Sequence, residues 1–450
     1  MKIKLIQPEM SLRPVDTEFK RLMAPSLALL VLAALTPEKY SVYIEDENVK
    51  SIDFNDNPDI VGITVNVDTS VRAFEIAKIY KAQNIPVILG GIYPSVNPDK
   101  ALEYCDSVCI GEAEEQWPRM IEDVINGRLN PKYYSARPLD LAESPVPRWE
   151  LLNKSDYLYT SVVCASRGCP FKCDFCYNSC DYVHNKFQNK PVENVIKEID
   201  ALNNKHVMFI DDNFIGNINW TKDFVKKITP LGLKWNCAVS ANIVNNLDLL
   251  DDMRESGCQS LFIGFETLNN EAIRSVNKHQ NKIELYEKLI NEIHFRSMMV
   301  NASIVFGFDY DDKCVFDNTV DWLVKNKVET MTAHLLTPYP GTKLYARLEE
   351  EGRIIDFDLS KYNTSHVVFE PKNMTKQELY DGYINAYSRF YSIKNIFKRL
   401  PDNDDQKISY LLFNFGYRKY GRLTSKIARL LKMSSFGNFA TKYSYKINKK

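Results

Sequence analysis

Three cysteines fall within eight residues, in the run Cys169-Pro170-Phe171-Lys172-Cys173-Asp174-Phe175-Cys176. The spacing is C-x3-C-x2-C. One loop with thiolates at these positions wraps three corners of a cubane, and thiolates are the soft ligands that iron–sulfur clusters take. Three local ligands on a [4Fe–4S] cluster leave one iron open to a ligand from outside the protein. Two other readings use the same residues. Zinc favours two close cysteine pairs, and the sequence has no second C-x2-C. Cys180 extends the run to C-x3-C-x2-C-x3-C and, as a fourth ligand, would close the cluster. Cys105, Cys109, Cys237, Cys258 and Cys314 are scattered and read as core residues, because thiols are commonly buried.

Polar groups and glycines recur where strands are expected to end. Asp211-Asp212-Asn213 follows Met208-Phe209-Ile210, and its carboxylates suit a ligand ammonium or the cap of the next helix. Ser240-Ala241-Asn242 offers a hydroxyl and an amide to a ribose. Glu266, in Gly264-Phe265-Glu266-Thr267, is more plausibly ligand-facing than core. Gly307 permits close backbone approach to an adenine. Asp212, Ser240, Glu266 and Gly307 are therefore the candidate ligand contacts of this half, and no residue is singled out as catalytic. Arg167 and Lys172 flank the cysteines, where a cation raises a cluster's potential or pairs with a ligand carboxylate; Lys172 reads rather as a solvated charge. Earlier in the chain, Thr64, Gly90, Gly91 and Gly111 also follow strands. Glycines there let backbone lie flat against a large ring or a nucleotide tail, and tight turns ask for glycine as well.

The elements that must position these groups alternate. Strand patterns at 2–7, 41–45, 60–65, 87–90 and 107–110 are separated by helical patterns at 25–35, 70–83 and 98–104, and a helix at 112–126 follows. Short apolar runs split by amphipathic helices indicate a parallel sheet covered on both faces, here a flavodoxin- or Rossmann-like doubly wound domain over residues 1–130. Residues 131–156 carry Pro138, Pro145 and Pro147 and read as a linker. Strands at 158–165, 207–211, 235–239, 260–264, 301–306 and 331–336 then alternate with helices, for example at 193–203 and 283–294. Six such units are too few for a closed eight-stranded barrel, so residues 157–370 read as a partial (β/α)6 barrel, with the cysteine loop at its C-terminal mouth. Residues 371–450 read as a mainly helical, basic extension.

The cysteine loop, with aromatic Phe175 before its last thiol, resembles the signature of the radical S-adenosylmethionine (SAM) enzymes. The flanks at 160–171 and Leu336-Thr337-Pro338-Tyr339-Pro340-Gly341-Thr342 resemble that family too. Over about residues 1–400 the order of domains is similar to the subgroup with an N-terminal cobalamin-binding-type domain. The resemblance implies a [4Fe–4S] cluster on Cys169, Cys173 and Cys176, and SAM chelated at the open iron and cleaved to a 5′-deoxyadenosyl radical. It places Asp212 and Glu266 near SAM, and cobalamin against Thr64, Gly90, Gly91 and Gly111. The implied activity is cobalamin-dependent methyl transfer to an unactivated carbon of a small-molecule or lipid substrate, with flavodoxin or ferredoxin as reductant by analogy. A cobalamin-independent rearrangement, cyclisation or C–S bond formation is the second reading, and a non-catalytic iron–sulfur or zinc module the third. One departure stands out. Where many cobalamin domains carry Asp-x-His-x-x-Gly, this chain reads Gln7-Pro8-Glu9-Met10-Ser11-Leu12-Arg13, and all six histidines lie after residue 180. That motif therefore supplies no axial ligand to cobalt.

Composition bounds the rest. The 450 residues are 45% hydrophobic and 26% charged with a net charge of -1, which describes an ordinary globular chain with no global field toward nucleic acid. No secretory leader is recognised, and the apolar run at 23–35 is too short to span a bilayer. A reducing, cytoplasmic protein is expected. Residues 394–450 carry fourteen Lys/Arg against three Asp, interleaved with Phe413, Phe415, Tyr417 and Tyr420. That is a solvated appendage or a peripheral membrane contact.

Overall fold

A computed structural model describes residues 1–16, 20–135, 139–180 and 187–417. Its N-terminal sheet is built from β1 (Lys2–Gln7), β2 (Ser41–Asp46), β3 (Ile60–Thr64), β4 (Val87–Gly90), β5 (Ser107–Ile110) and β6 (Lys132–Tyr134). The order is β2-β1-β3-β4-β5-β6, with every pairing parallel. β3 and β5 are almost wholly buried, because helices cover both faces and leave no side for polar residues. β6 lies in the stretch read as linker and extends the sheet beyond the five strands expected. The helical pattern at 98–104 is the short helix Pro98–Leu102, and a second short helix, Ile92–Val96, not foreseen, precedes it and is parted from it at Asn97. Proline at a first helical position starts a helix well and disfavours helical backbone in the residue before it.

The second sheet is assembled from β7 (Val162–Val163), β10 (His206–Phe209), β11 (Lys234–Val239), β12 (Cys258–Glu266), β13 (Met299–Phe306) and β14 (Thr330–Leu335) in sequential order. All of its pairings are parallel, as a partial barrel requires. Between β7 and β10, the short strands β8 (Ser166–Arg167) and β9 (Gln188–Asn189) pair antiparallel. They clamp the two ends of the cysteine loop. The main hydrophobic core gathers residues of this half from Val162 to Tyr391, joined by Leu30 and Trp149. The helices Lys376–Phe390, Ile393–Lys398 and Asp404–Tyr417 complete the described chain. Residues 418–450 of the basic extension, and Pro138 of the linker, lie outside the described residues.

Candidate active site between two strand edges

The cysteine loop is fixed at each corner. Gly168 turns the chain with φ +74°. The amide of Asp174 donates to Val276 O at 3.1 Å, and Leu344 N donates to Asp174 O at 3.0 Å. Ser179 Oγ donates to the carbonyls of Cys173 and Cys176 at 2.8 and 2.5 Å. Burial pushes the Cys169 and Cys173 thiols up and takes Cys176 up to about 12; charge on Cys173 and Cys169 adds to the rise at Cys176. A cation-rich group placed among them would favour the thiolate form. Among the described residues no three His, Cys, Asp or Glu side chains form a group suited to one metal ion. Cys180 is 3% exposed and its thiol donates to Gly341 O at 3.1 Å, so a structural role is on view for it.

Asp211 and Asp212 part ways, and neither caps the next helix, Ile218–Ile228, whose N-cap is Asn217. Asp211 is buried, accepts from Ala165 N at 3.2 Å and from the Ser166 hydroxyl, and so ties β10 to the base of the cysteine loop. Burial raises its carboxyl to about 6 against these hydrogen bonds. Asp212 opens into a cavity of about 790 Å³ together with Cys176, Glu266, Gly91 and Gly111. Burial also raises Asp212, opposed by a hydrogen bond from Asn178.

Glu266 sits at a bulge in β12 with φ +66°, and Lys278 Nζ meets its Oε1 at 2.6 Å. Burial works against the Lys278 ammonium, but Glu266 and the Cys173 thiol hold its pKa above the ordinary value. A Cβ on Gly264 would stand 2.5 Å from Glu266 Oε1, so glycine there makes room for the pair. Ser240 and Gly307 are not among the residues lining the cavity. The Ser240 hydroxyl donates to Asn242 Oδ1 at 2.5 Å and lies 3.3 Å from Asn213 Oδ1. The open side of Gly307 is filled by Leu379, 3.0 Å from an added Cβ.

From the other domain, Gly91, Ile92, Ser95, Gly111 and Glu112 enter the same cavity. Gly91 has φ +104° and ψ −166°. Ser95 Oγ donates to Gly91 O at 2.7 Å and accepts from Gly111 N at 2.9 Å, which locks the two glycines into one side-chain-free shelf at the ends of β4 and β5. A large planar ring fits such a shelf. Thr64 and Gly90 stand behind it: Thr64 Oγ1 is 3.4 Å from a Cβ placed on Gly91, and Gly90 packs toward Cys109. Arg167 bridges the two domains, pairing with Glu114 and lying 3.6 Å from Glu112.

Residues not singled out as site candidates complete the cavity wall. Cys164, Tyr177, Ser303, His334, Tyr339 and Thr364 line it. Tyr177 and Tyr339 pack with ring centroids 4.7 Å apart. His334 Nδ1 lies 2.9 Å from Thr364 Oγ1, and burial followed by Arg13 lowers the imidazole to about 3, so it is neutral. Lys278 follows a short helix and likewise carried no pattern to mark it.

A three-thiol loop at the mouth of a partial barrel, facing the glycine shelf of a doubly wound domain, defines a two-domain cofactor enzyme. Comparisons with known proteins agree. The model of the radical SAM superfamily matches residues 163–323, that of the B12 binding domain residues 18–120, and a domain of unknown function, DUF4070, residues 342–406. The bacteriochlorophyllide d C-12(1)-methyltransferase of Chlorobaculum tepidum is 29% identical over 387 residues, covering 83% of this chain and 84% of that protein. The hopanoid C-2 methylase of Rhodopseudomonas palustris is 28% identical over 360 residues, covering 76% and 68%. The solved structure of TsrM from Kitasatospora setae, a radical SAM methyltransferase with cobalamin and a [4Fe–4S] cluster bound, superposes with a TM-score of 0.63 at 17% identity, covering 78% of each chain. The chain joins a B12-binding domain to a radical SAM domain, the arrangement of the cobalamin-dependent radical SAM methyltransferases that it resembles. A B12-binding domain and a radical SAM domain are the two units present for a cobalamin and for a [4Fe–4S] cluster with SAM.

Proposed function

We propose that this enzyme methylates an unactivated carbon of an apolar small molecule or lipid bound between its two domains. The observation that carries the reading is the shared cavity: Cys176 and Asp212 from one sheet and Gly91 and Gly111 from the other line a single space of about 790 Å³. Two cofactors must meet one substrate for this chemistry, and a common cavity is the geometric condition for it. The relatives that act on a bacteriochlorophyllide and on a hopanoid support a large, mostly apolar substrate, as do the cavity residues Phe175, Ile210, Val305 and Leu336.

In this reading Cys169, Cys173 and Cys176 hold the cluster. Asp212 and Glu266 receive the ammonium end of SAM, with Ser240 and Gly307 supporting its nucleoside side from behind the cavity wall. Gly91 and Gly111, backed by Thr64 and Gly90, carry the corrin ring. When bound, these groups supply one-electron cleavage of SAM to a 5′-deoxyadenosyl radical and a transferable methyl group. The chain's own part is orientation and exclusion of water. The Arg167–Glu114 bridge holds the domains face to face, and the neutral His334 offers a hydrogen bond without a charge. Residues 1–130 and 157–370 act as the two working units, and a flavodoxin or ferredoxin is the expected electron donor.

The test is transfer of label. Reconstituted enzyme with reductant, cobalamin and SAM bearing a deuterated methyl group is incubated with organic-solvent extracts of lipids and small molecules. Label in an extractable compound, absent with Cys173→Ala, is expected. Label confined to protein would overturn the substrate class.

A further inference from the structure

Successive residues of β14 point to opposite faces of the sheet. Met331, Ala333 and Leu335 are buried in the main core, and Thr330, Thr332 and His334 stand on the other face. On the neighbouring strand β13, Val305 is in register with His334 and Ser303 with Thr332. Ser303, Val305 and His334 all line the cavity. The inner wall of the partial barrel therefore ends, at its far edge, on an imidazole.

The two nitrogens of that ring have different surroundings. Nδ1 lies 2.9 Å from Thr364 Oγ1 and 3.5 Å from Arg13 Nη1. A guanidinium only donates, so the nitrogen it faces is the acceptor and the ring proton sits on Nε2. Arg13 is itself fixed, since its Nε and Nη2 each donate to the Asp16 carboxylate at 2.8 Å and leave Nη1 for the ring. Thr364 is held in place at a cost. Its φ is +64°, a left-handed conformation that β-branched residues avoid. Its carbonyl accepts from Leu335 N at 2.7 Å, which pins the strained turn beside His334. Strain of this kind collects where a side chain must be aimed at a ligand.

Nε2 has no partner among the described residues. Its neighbours on the wall include Val305 and Leu336, whose side chains offer no acceptor. An N–H left unmatched in a closed site is costly, so this one is placed for a group that arrives with the ligand. An ammonium or other donor would meet a donor there.

We propose that Arg13 and Thr364 hold His334 as the Nε2–H tautomer, and that this N–H binds an oxygen acceptor of the substrate, a carbonyl or carboxylate oxygen, and orients it in the cavity. The inference rests on the methyl-transfer reading above for the presence of a substrate there, and two measurements separate the two. The first needs no substrate. Long-range proton–nitrogen correlation spectra of the full chain, labelled with 15N-histidine at neutral pH, are expected to show His334 protonated on Nε2 only. The signal is assigned by its loss in His334→Gln, and Thr364→Val is expected to shift part of the population to the other tautomer. A ring protonated on Nδ1 in the wild type would overturn the proposal.

The second repeats the deuterated-methyl assay over a dilution series of the lipid and small-molecule extract. His334→Leu is expected to need roughly tenfold more extract for half-maximal labelling, with an unchanged plateau, the size of one lost hydrogen bond. His334→Gln, whose amide keeps a donor, should stay close to the wild type. A wild type that labels nothing would overturn the methyl-transfer reading. A wild type that labels the extract no better than His334→Leu at every dilution would overturn this inference alone. So would a hydroxocobalamin spectrum that changes in His334→Leu, because the free nitrogen would then be a ligand of cobalt rather than a donor to substrate.

Discussion

Gly91 is the position where sequence, backbone and site meet most sharply, and Gly91→Ala tests the shelf directly. Its φ of +104° and ψ of −166° fall in a region that glycine alone enters readily, at about 1–3 kcal/mol for another residue. An added Cβ would stand 2.9 Å from Val65 O and 3.0 Å from Val65 N. Both atoms are backbone and both are engaged, Val65 O with Tyr93 N at 3.1 Å and Val65 N with Gly90 O at 2.8 Å, so neither can swing aside. Forcing the methyl in adds about 1–3 kcal/mol. The sum, roughly 2–6 kcal/mol, is a large part of the roughly 5–15 kcal/mol that holds a domain folded. Gly352→Ala is the matched control: φ is +67° and an added Cβ meets nothing within 4 Å, which leaves about 1–2 kcal/mol of backbone strain. Urea unfolding of the cofactor-free chain should therefore show Gly91→Ala losing at least twice what Gly352→Ala loses. Hydroxocobalamin titration should show weakened binding for Gly91→Ala alone. Equal unfolding curves for the two variants, with unchanged cobalamin binding, would refute the reasoning.

Cys180→Ala is expected to keep the iron content of reconstituted protein, while Cys173→Ala loses it; the cost of Cys180→Ala is about 1 kcal/mol of stability from the lost bond to Gly341, read by thermal unfolding alongside iron analysis. Lys278→Met leaves Glu266 buried and unpaired and should destabilise by about 3–5 kcal/mol, and adding Glu266→Gln should recover most of it, which a double-mutant cycle in urea will show. Asp211, held at about 6, keeps in the folded chain a proton that the unfolded chain has lost. Stability should therefore fall as pH rises from about 4 to 6, by about 3 kcal/mol, and Asp211→Asn should remove that slope in a pH series of unfolding measurements.

The architecture was legible because parallel strands buried on both faces read as short apolar blocks. β3, Ile60-Val61-Gly62-Ile63-Thr64, and β13, Met299 to Phe306, both lie within a few residues of their expected limits. β6 escaped because three residues, Lys132-Tyr133-Tyr134, make a strand only by pairing with β5. The cysteine loop was legible because its three thiols are local in sequence. Glu266 was marked by its strand end, but its partner Lys278 was not, since a buried ion pair is set by the fold around it rather than by spacing. The same limit explains Ser240 and Gly307. A strand end points a residue toward the mouth of a barrel, yet Asn242 and Leu379 decide what that residue finally touches. His334 comes to the cavity from the far edge of the sheet, which no local pattern announces.

The central claim is that cluster, SAM and cobalamin work in one cavity, and product balance tests it most directly. The enzyme is reconstituted anaerobically with iron, sulfide and cobalamin, given SAM, reductant and the extract of lipids and small molecules, and 5′-deoxyadenosine and S-adenosylhomocysteine are quantified together. Both products are expected from the wild type, neither above background from Cys173→Ala, and 5′-deoxyadenosine without matching S-adenosylhomocysteine from Gly91→Ala. A wild type that makes 5′-deoxyadenosine but no S-adenosylhomocysteine, with cobalamin present, would contradict it.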